Sequence, residues 1–90
     1  MGVPHVIPNS KLKTFKFYAT NAIHEAIFYE GTILRSVKNF SLEEREEAFQ
    51  FACNLSQEYT TLLSPCTDLY RVWVDVWCPM AFILSFQINF

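Results

Sequence analysis

The stretch that decides the fold is SLEEREEAFQFACNLSQEY, which runs from Ser41 to Tyr59. Ser41 and Glu44 form the S-x-x-E pattern of a capping box, in which each side chain accepts a hydrogen bond from the backbone N–H of the other residue. At about 100° per residue, apolar side chains recur on one side of this stretch and glutamates on the other. We therefore expect an amphipathic helix from Ser41 to Tyr59, the only one in the chain.

The apolar side of this helix is predicted to face the core. It consists of Leu42, Ala48, Phe49, Ala52, Cys53, Leu55, Ser56 and Tyr59. Phe51 falls on the opposite side among glutamates, so we expect it to be exposed and interpret it as a candidate contact for a partner protein. The apolar pattern continues to Leu62 or Leu63, and we expect Pro65 to end the helix.

Composition predicts one folded domain. The chain has 90 residues, of which 51% are hydrophobic and 17% aromatic, which is enough apolar side chain for a packed core. Seven basic residues against nine acidic ones, without a basic run, disfavour nucleic-acid binding. The N-terminus lacks a secretory signal pattern and no apolar run approaches the ~20 residues that cross a bilayer, so we expect a cytoplasmic protein without a membrane span.

The chain divides into an N-terminal arm, residues 1–12, and a single α+β domain, residues 13–90. Lys13 to Thr20 alternates between apolar and polar residues and is predicted to be a strand. Three interpretations remain open for residues 21–38: a bent strand with a bulge at Gly31, a hairpin that turns at Glu30-Gly31, or a helix from Asn21 to Tyr29. The β-branched and aromatic content favours strand over residues 26–38.

Two more strands are predicted after the helix. In Leu69–Trp77 the even positions form a β-branched face suited to packing under the helix. Phe82–Phe90 alternates without interruption, and Cys78-Pro79 supplies a turn before it, so we expect an antiparallel hairpin with Phe82–Phe90 at the sheet edge.

The predicted order is β-β-α-β-β, which gives an α+β fold: an antiparallel sheet of four to five strands with one helix packed on one face. This arrangement resembles ferredoxin-like and half-ferredoxin-like two-layer sandwiches. The resemblance is one of architecture alone and implies no function. Because one helix covers one face, the other face must meet solvent, the arm or a second copy.

The uncovered face is predicted to present Arg71, Trp73, Asp75 and Trp77, which alternate along one strand. An arginine over an indole makes a cation–π contact, and Asp75 is placed to hold Arg71. Tryptophan and arginine carry much of the binding energy of protein interfaces, so this set is a candidate interaction face. The alternative is a half-buried face that the chain's own termini cover.

Residues with reactive chemistry give little indication of a site. Cys53, Cys66 and Cys78 have neither disulfide-framework nor zinc-ligand spacing, and the chain lacks a recognisable catalytic motif. We therefore predict no catalytic residues, no metal and no cofactor.

The sequence thus favours a non-enzymatic interaction domain that forms a homodimer and binds another protein, which the sequence does not identify. One alternative is a ligand-binding or enzymatic dimeric ferredoxin-like domain with a pocket between sheet and helix, lined by Tyr18, His24 and Tyr29. A second alternative is an acidic inhibitor whose glutamate-rich helix mimics the charge of a nucleic acid.

Overall fold

The structure, a computed structural model, describes residues 4–19 and 22–84. In chain order its elements are β1 (His5–Val6), β2 (Thr14–Ala19), β3 (Ala22–Tyr29), β4 (Thr32–Ser41), α1 (Arg45–Ser56), β5 (Thr61–Pro65), β6 (Leu69–Asp75) and α2 (Met80–Leu84). Short 3-10 turns lie at Asn9–Lys11 and Leu42–Glu44. None of the helices in the described residues is long and apolar enough to cross a bilayer.

The strands form one six-stranded sheet in the order β1-β5-β6-β4-β3-β2. Strand β1 runs parallel to β5, and every other pair is antiparallel. The predicted α+β class, with a helix packed on one face of the sheet, is confirmed. The prediction of a purely antiparallel sheet of four to five strands is wrong, because the arm contributes β1 and residues 61–65 contribute β5.

The turn between β3 and β4 distinguishes among the three interpretations of residues 21–38. Tyr29 pairs with Thr32 across Glu30 and Gly31, whose φ angles are 49° and 80°. Two consecutive positive φ angles are the signature of a tight hairpin turn whose twist matches that of its strands. The hairpin interpretation is correct, and the helix from Asn21 to Tyr29 is wrong because Ala22–Tyr29 is a strand.

The capping box forms as predicted, but the helix is shorter than expected. The Ser41 N–H donates a hydrogen bond to Glu44 Oε1 at 2.9 Å, and α1 runs only from Arg45 to Ser56. Thr61–Pro65 is instead a strand whose first four residues are buried. A short strand buried on both faces reads as a continuous apolar run, which periodicity cannot distinguish from a helix.

The buried side of α1 also differs from the prediction. Its buried residues are Ala48, Phe51, Ala52 and Leu55, which have the i, i+3, i+4, i+7 spacing of a helix on a sheet. Phe51 is 5% exposed and its ring centroid lies 5.6 Å from that of Phe40, whereas Phe49 is 47% exposed. The prediction of an exposed Phe51 is therefore wrong. The prediction counts Leu42 and Phe49 in the apolar face of the helix, which shifts the predicted face away from Phe51.

The central strand β6 separates two apolar clusters. Val72 and Val74 pack with the buried side of α1, as predicted for the even positions of this strand. Trp73 points the other way and packs with Ile27 and Leu34. The protein therefore has two apolar clusters, one on each face of the sheet.

The predicted strand at Phe82–Phe90 is wrong over its described part. Met80–Leu84 is the short helix α2, and residues 85–90 lie outside the described residues. Pro79 starts the helical turn, since its carbonyl accepts from the N–H groups of Phe82 and Ile83. The partners of β6 are consequently β4 and β5.

The hairpin turn yields a stability prediction. Glu30 adopts a left-handed conformation that costs most side chains roughly 1–2 kcal/mol and that asparagine tolerates better. Glu30→Asn is expected to raise the free energy of unfolding by about 0.5–1 kcal/mol in urea denaturation. Glu58→Asn, at a glutamate without a positive φ, is the control; an equal gain there would contradict the assignment to the turn.

Candidate interaction site

The centre of the predicted interaction face is buried. Trp73 is 0% exposed, and its indole Nε1 donates a hydrogen bond to Ser64 Oγ at 2.8 Å. Ile7 and Leu12 of the N-terminal arm pack against the cluster that contains Trp73. The prediction that Trp73 meets a partner therefore does not fit the structure, because the chain's own arm covers it. An indole N–H needs an acceptor when it is buried, and Ser64 supplies one.

The arm is fixed to the sheet at several points. His5 and Val6 pair with Leu62 and Leu63, and the Ile7 N–H donates to the Leu63 carbonyl at 3.1 Å. His5 Nδ1 lies 3.1 Å from the Tyr29 hydroxyl, within hydrogen-bonding distance. The arm is thus a structural layer over β5, β6 and the inner part of β3.

Arg71 makes the predicted cation–π contact but a different ion pair. Its Cζ lies 5.6 Å from the Trp73 ring, and its Nη1 donates to Glu25 Oε1 at 2.9 Å. Nε donates to Asn39 Oδ1 at 3.2 Å. Asp75 stands four residues away along the strand, a separation of roughly 13 Å, so it cannot reach Arg71.

Asp75 is the last residue of β6, and Trp77 lies in the turn that follows it. The Trp77 N–H donates to Asp75 Oδ1 at 2.9 Å, and the Trp77 side chain is 83% exposed. Of the four residues predicted to form one interaction face, Trp77 is therefore the only one whose side chain is largely free to meet a partner.

The residues of the predicted pocket do not converge. Tyr18 pairs with Ile23 and His24 pairs with Phe17, so Tyr18 and His24 lie on opposite faces of the sheet. The His24 ring stacks on Phe17 with centroids 5.3 Å apart. Tyr29 contacts His5 on the arm instead.

Two of the three thiols, those of Cys66 and Cys78, have environments that lower their reactivity. Burial raises the pKa of Cys66, with Arg71 opposing the shift and Asp68 adding to it. Burial likewise raises the pKa of Cys78, opposed by Arg35 and assisted by Asp75. A raised pKa reduces the thiolate fraction at neutral pH, and the thiolate is the nucleophile. In residues 4–19 and 22–84, no three acidic, histidine or cysteine side chains form a group that could hold a metal.

Exposed apolar side chains concentrate on the outer strands of the sheet. Phe15 is 41% exposed, Tyr18 70%, Ile23 69%, Phe28 69% and Ile33 39%. All five lie on β2, β3 and the start of β4. The alternation of β2 indicated that Phe15 faces one side, but the sequence gives no signal of how far the helix layer reaches.

Three of these side chains form what we call the outer patch: Phe15, Phe28 and Ile33. Phe28 pairs with Ile33, and Phe15 pairs with Ala26, which places all three on the face that carries α1. The sheet contacts of α1 centre on β4, β5 and β6. The outer patch therefore continues the helix-bearing face beyond the reach of the helix.

A groove of about 920 Å³ lies between α1 and the inner strands. Its apolar lining includes Val6, Phe49, Leu63, Pro65 and Tyr70. Lys38 lies at its edge, with Nζ 5.0 Å from the centroid of the Phe40 ring. The groove is of a size that accommodates small ligands, and it differs from the predicted pocket in every residue.

Comparisons with known proteins identify no relative: no protein-family model, no curated protein and no solved structure matches the chain.

Because Trp73 is buried and Trp77 is exposed, we expect their replacement to change the free energy of unfolding by different amounts. Trp73→Ala removes a fully buried indole and is expected to lower the free energy of unfolding by about 3–5 kcal/mol. Trp77→Ala changes an exposed side chain and is expected to stay within about 0.5 kcal/mol of the wild type. Urea denaturation followed by circular dichroism measures both, and equal losses would contradict the different burial of the two indoles.

Proposed function

We propose that the protein is a non-enzymatic interaction domain that self-associates as a homodimer and binds another protein. The observation that carries this proposal is the outer patch, an uncovered continuation of the helix-bearing sheet face with Phe28 69% exposed. Contiguous exposed apolar surface costs solubility and is typical of interaction sites.

A second copy is the occupant that best fits the outer patch. Two sheet faces pack about 10 Å apart, and a two-fold axis brings each apolar side chain into the interface twice. Two cations flank the outer patch: Lys13 lies two residues before Phe15, and Arg35, two residues after Ile33, donates from Nη2 to the Cys78 carbonyl at 2.9 Å. Between them the patch offers a second copy three apolar side chains, which favours pairing with an identical surface.

The proposal predicts the effect of replacing the patch residues. Phe28→Ser together with Ile33→Ser removes two of the three apolar contacts and is expected to convert the dimer to a folded monomer. Light scattering over a dilution series gives the mass, and circular dichroism checks the fold. Phe49→Ser is the matched control, because Phe49 is 47% exposed but lies on α1.

A wild type that is monomeric at every concentration would overturn the self-association proposal. So would a dimer that survives the double substitution in a folded variant. A dimer lost in Phe49→Ser but kept in the double variant would move the interface to α1.

The groove beside α1 favours a second candidate function, the binding of a small apolar ligand. Its volume of about 920 Å³ and its lining by Leu63, Pro65 and Tyr70 are the specific observations. The fluorescence of 1-anilinonaphthalene-8-sulfonate, titrated against the wild type and Leu63→Gln, tests it. Enhancement that is equal in the two folded proteins, or absent from both, would reject the groove as a ligand site.

A further inference from the structure

Strand β2 ends the sheet with an open edge. It pairs with β3 on one side, and among the described residues it has no neighbour on the other. Its six residues, Thr14–Ala19, are long enough to pair with an added strand, whereas β1 at the opposite edge has two residues. An open edge presents a row of unpaired N–H and C=O groups to any extended chain.

The same edge is positively charged. Lys11 and Lys13 precede β2 and Lys16 lies within it, and all three are exposed. In residues 4–19 and 22–84, none of these three lysines takes part in an ion pair. Glu25, which stands opposite Lys16 in the sheet, is engaged by Arg71.

We infer that β2 binds an acidic, extended segment of a partner protein, which adds as a seventh strand at this edge. This inference rests on the proposed function, because it names the class of partner that the interaction domain binds. Backbone hydrogen bonds give such strand addition its affinity, and side chains give it specificity. The acidic segment meets Lys16 on β2 and Lys13 just before it, and it contacts Tyr18, which is 70% exposed.

A second copy fits this edge poorly. In a symmetric β2–β2 pair, the lysines of both copies would meet across one seam, and like charges opposite each other destabilise strand pairing. Lysine on an edge strand is a known means of preventing such self-pairing. An acidic strand would instead be stabilised at this edge, since its carboxylates are attracted to the lysines.

A single-stranded nucleic acid is the other anionic polymer to consider. Lysines with a nearby aromatic ring suit it, but the chain has a net charge of −2 and a cluster of glutamates at the start of α1. The unpaired backbone edge offers hydrogen bonds in the spacing of a strand, which a peptide uses and a nucleic acid does not. These observations favour the peptide.

The test measures the binding of labelled probes to the full chain by fluorescence anisotropy. The probes are a short peptide of alternating glutamate and valine, the same peptide with every backbone amide N-methylated, a peptide of alternating lysine and valine, and oligothymidine. We expect only the first peptide to bind, with an affinity that falls as salt rises.

Charge reversal at Lys13, just before β2, and at Lys16, within it, tests the contribution of the lysines. Lys13→Glu with Lys16→Glu is expected to weaken binding of the acidic peptide roughly tenfold, whereas Lys13→Arg with Lys16→Arg retains it. Circular dichroism confirms that both variants fold.

Four outcomes would overturn the inference: no binding of the acidic peptide, equal binding of its N-methylated form, stronger binding of oligothymidine, or binding unaffected by charge reversal. Light scattering of the same variants keeps this test separate from self-association. If the charge-reversed protein still dimerises but no longer binds the acidic peptide, both proposals are supported. If the wild type is a monomer that binds the peptide, only the self-association proposal is refuted.

Discussion

The helix α1 covers only the inner strands of the sheet on which it packs, and the rest of the structure follows from that. Its sheet contacts centre on β4, β5 and β6, whereas the axes of the six strands extend across roughly 24 Å. α1 therefore covers the inner strands, and β2 and β3 extend beyond it. The inner half of the sheet has a packed layer on each face, while the outer half exposes Phe15, Tyr18, Ile23 and Phe28.

The inner half of the sheet has a packed layer on each face because β6 is buried from both sides. α1 covers Val72 and Val74, and the N-terminal arm covers Trp73. Burial of the indole is possible because Ser64, itself 0% exposed, accepts its hydrogen bond. The arm therefore supplies the packed layer on the face of the sheet opposite α1.

Local signals predict part of the local structure but not the long-range packing. The Ser41–Glu44 capping box and strand β2 form as their local patterns predict, whereas the alternation of Phe82–Phe90 does not predict the helix Met80–Leu84. The sequence does not predict the strand Thr61–Pro65, since only its burial between β1 and β6 distinguishes it from a helix end. The burial of Trp73 is not predicted for the same reason: nothing near Trp73 in the sequence shows that the arm lies over it.

Strand alternation allows β2 to take part in two interactions at once. Phe15 projects from the helix-bearing face, where a second copy would pack, while Lys16 and Tyr18 project from the opposite face. The backbone edge lies in the plane of the sheet, perpendicular to both sets of side chains. Face packing with one molecule therefore leaves the edge open to another, so dimerisation and strand addition use separate parts of the same six residues. Under the two proposals, the apolar side chains of β2 would meet an identical partner, and Lys16 with the preceding Lys13 would meet an acidic one.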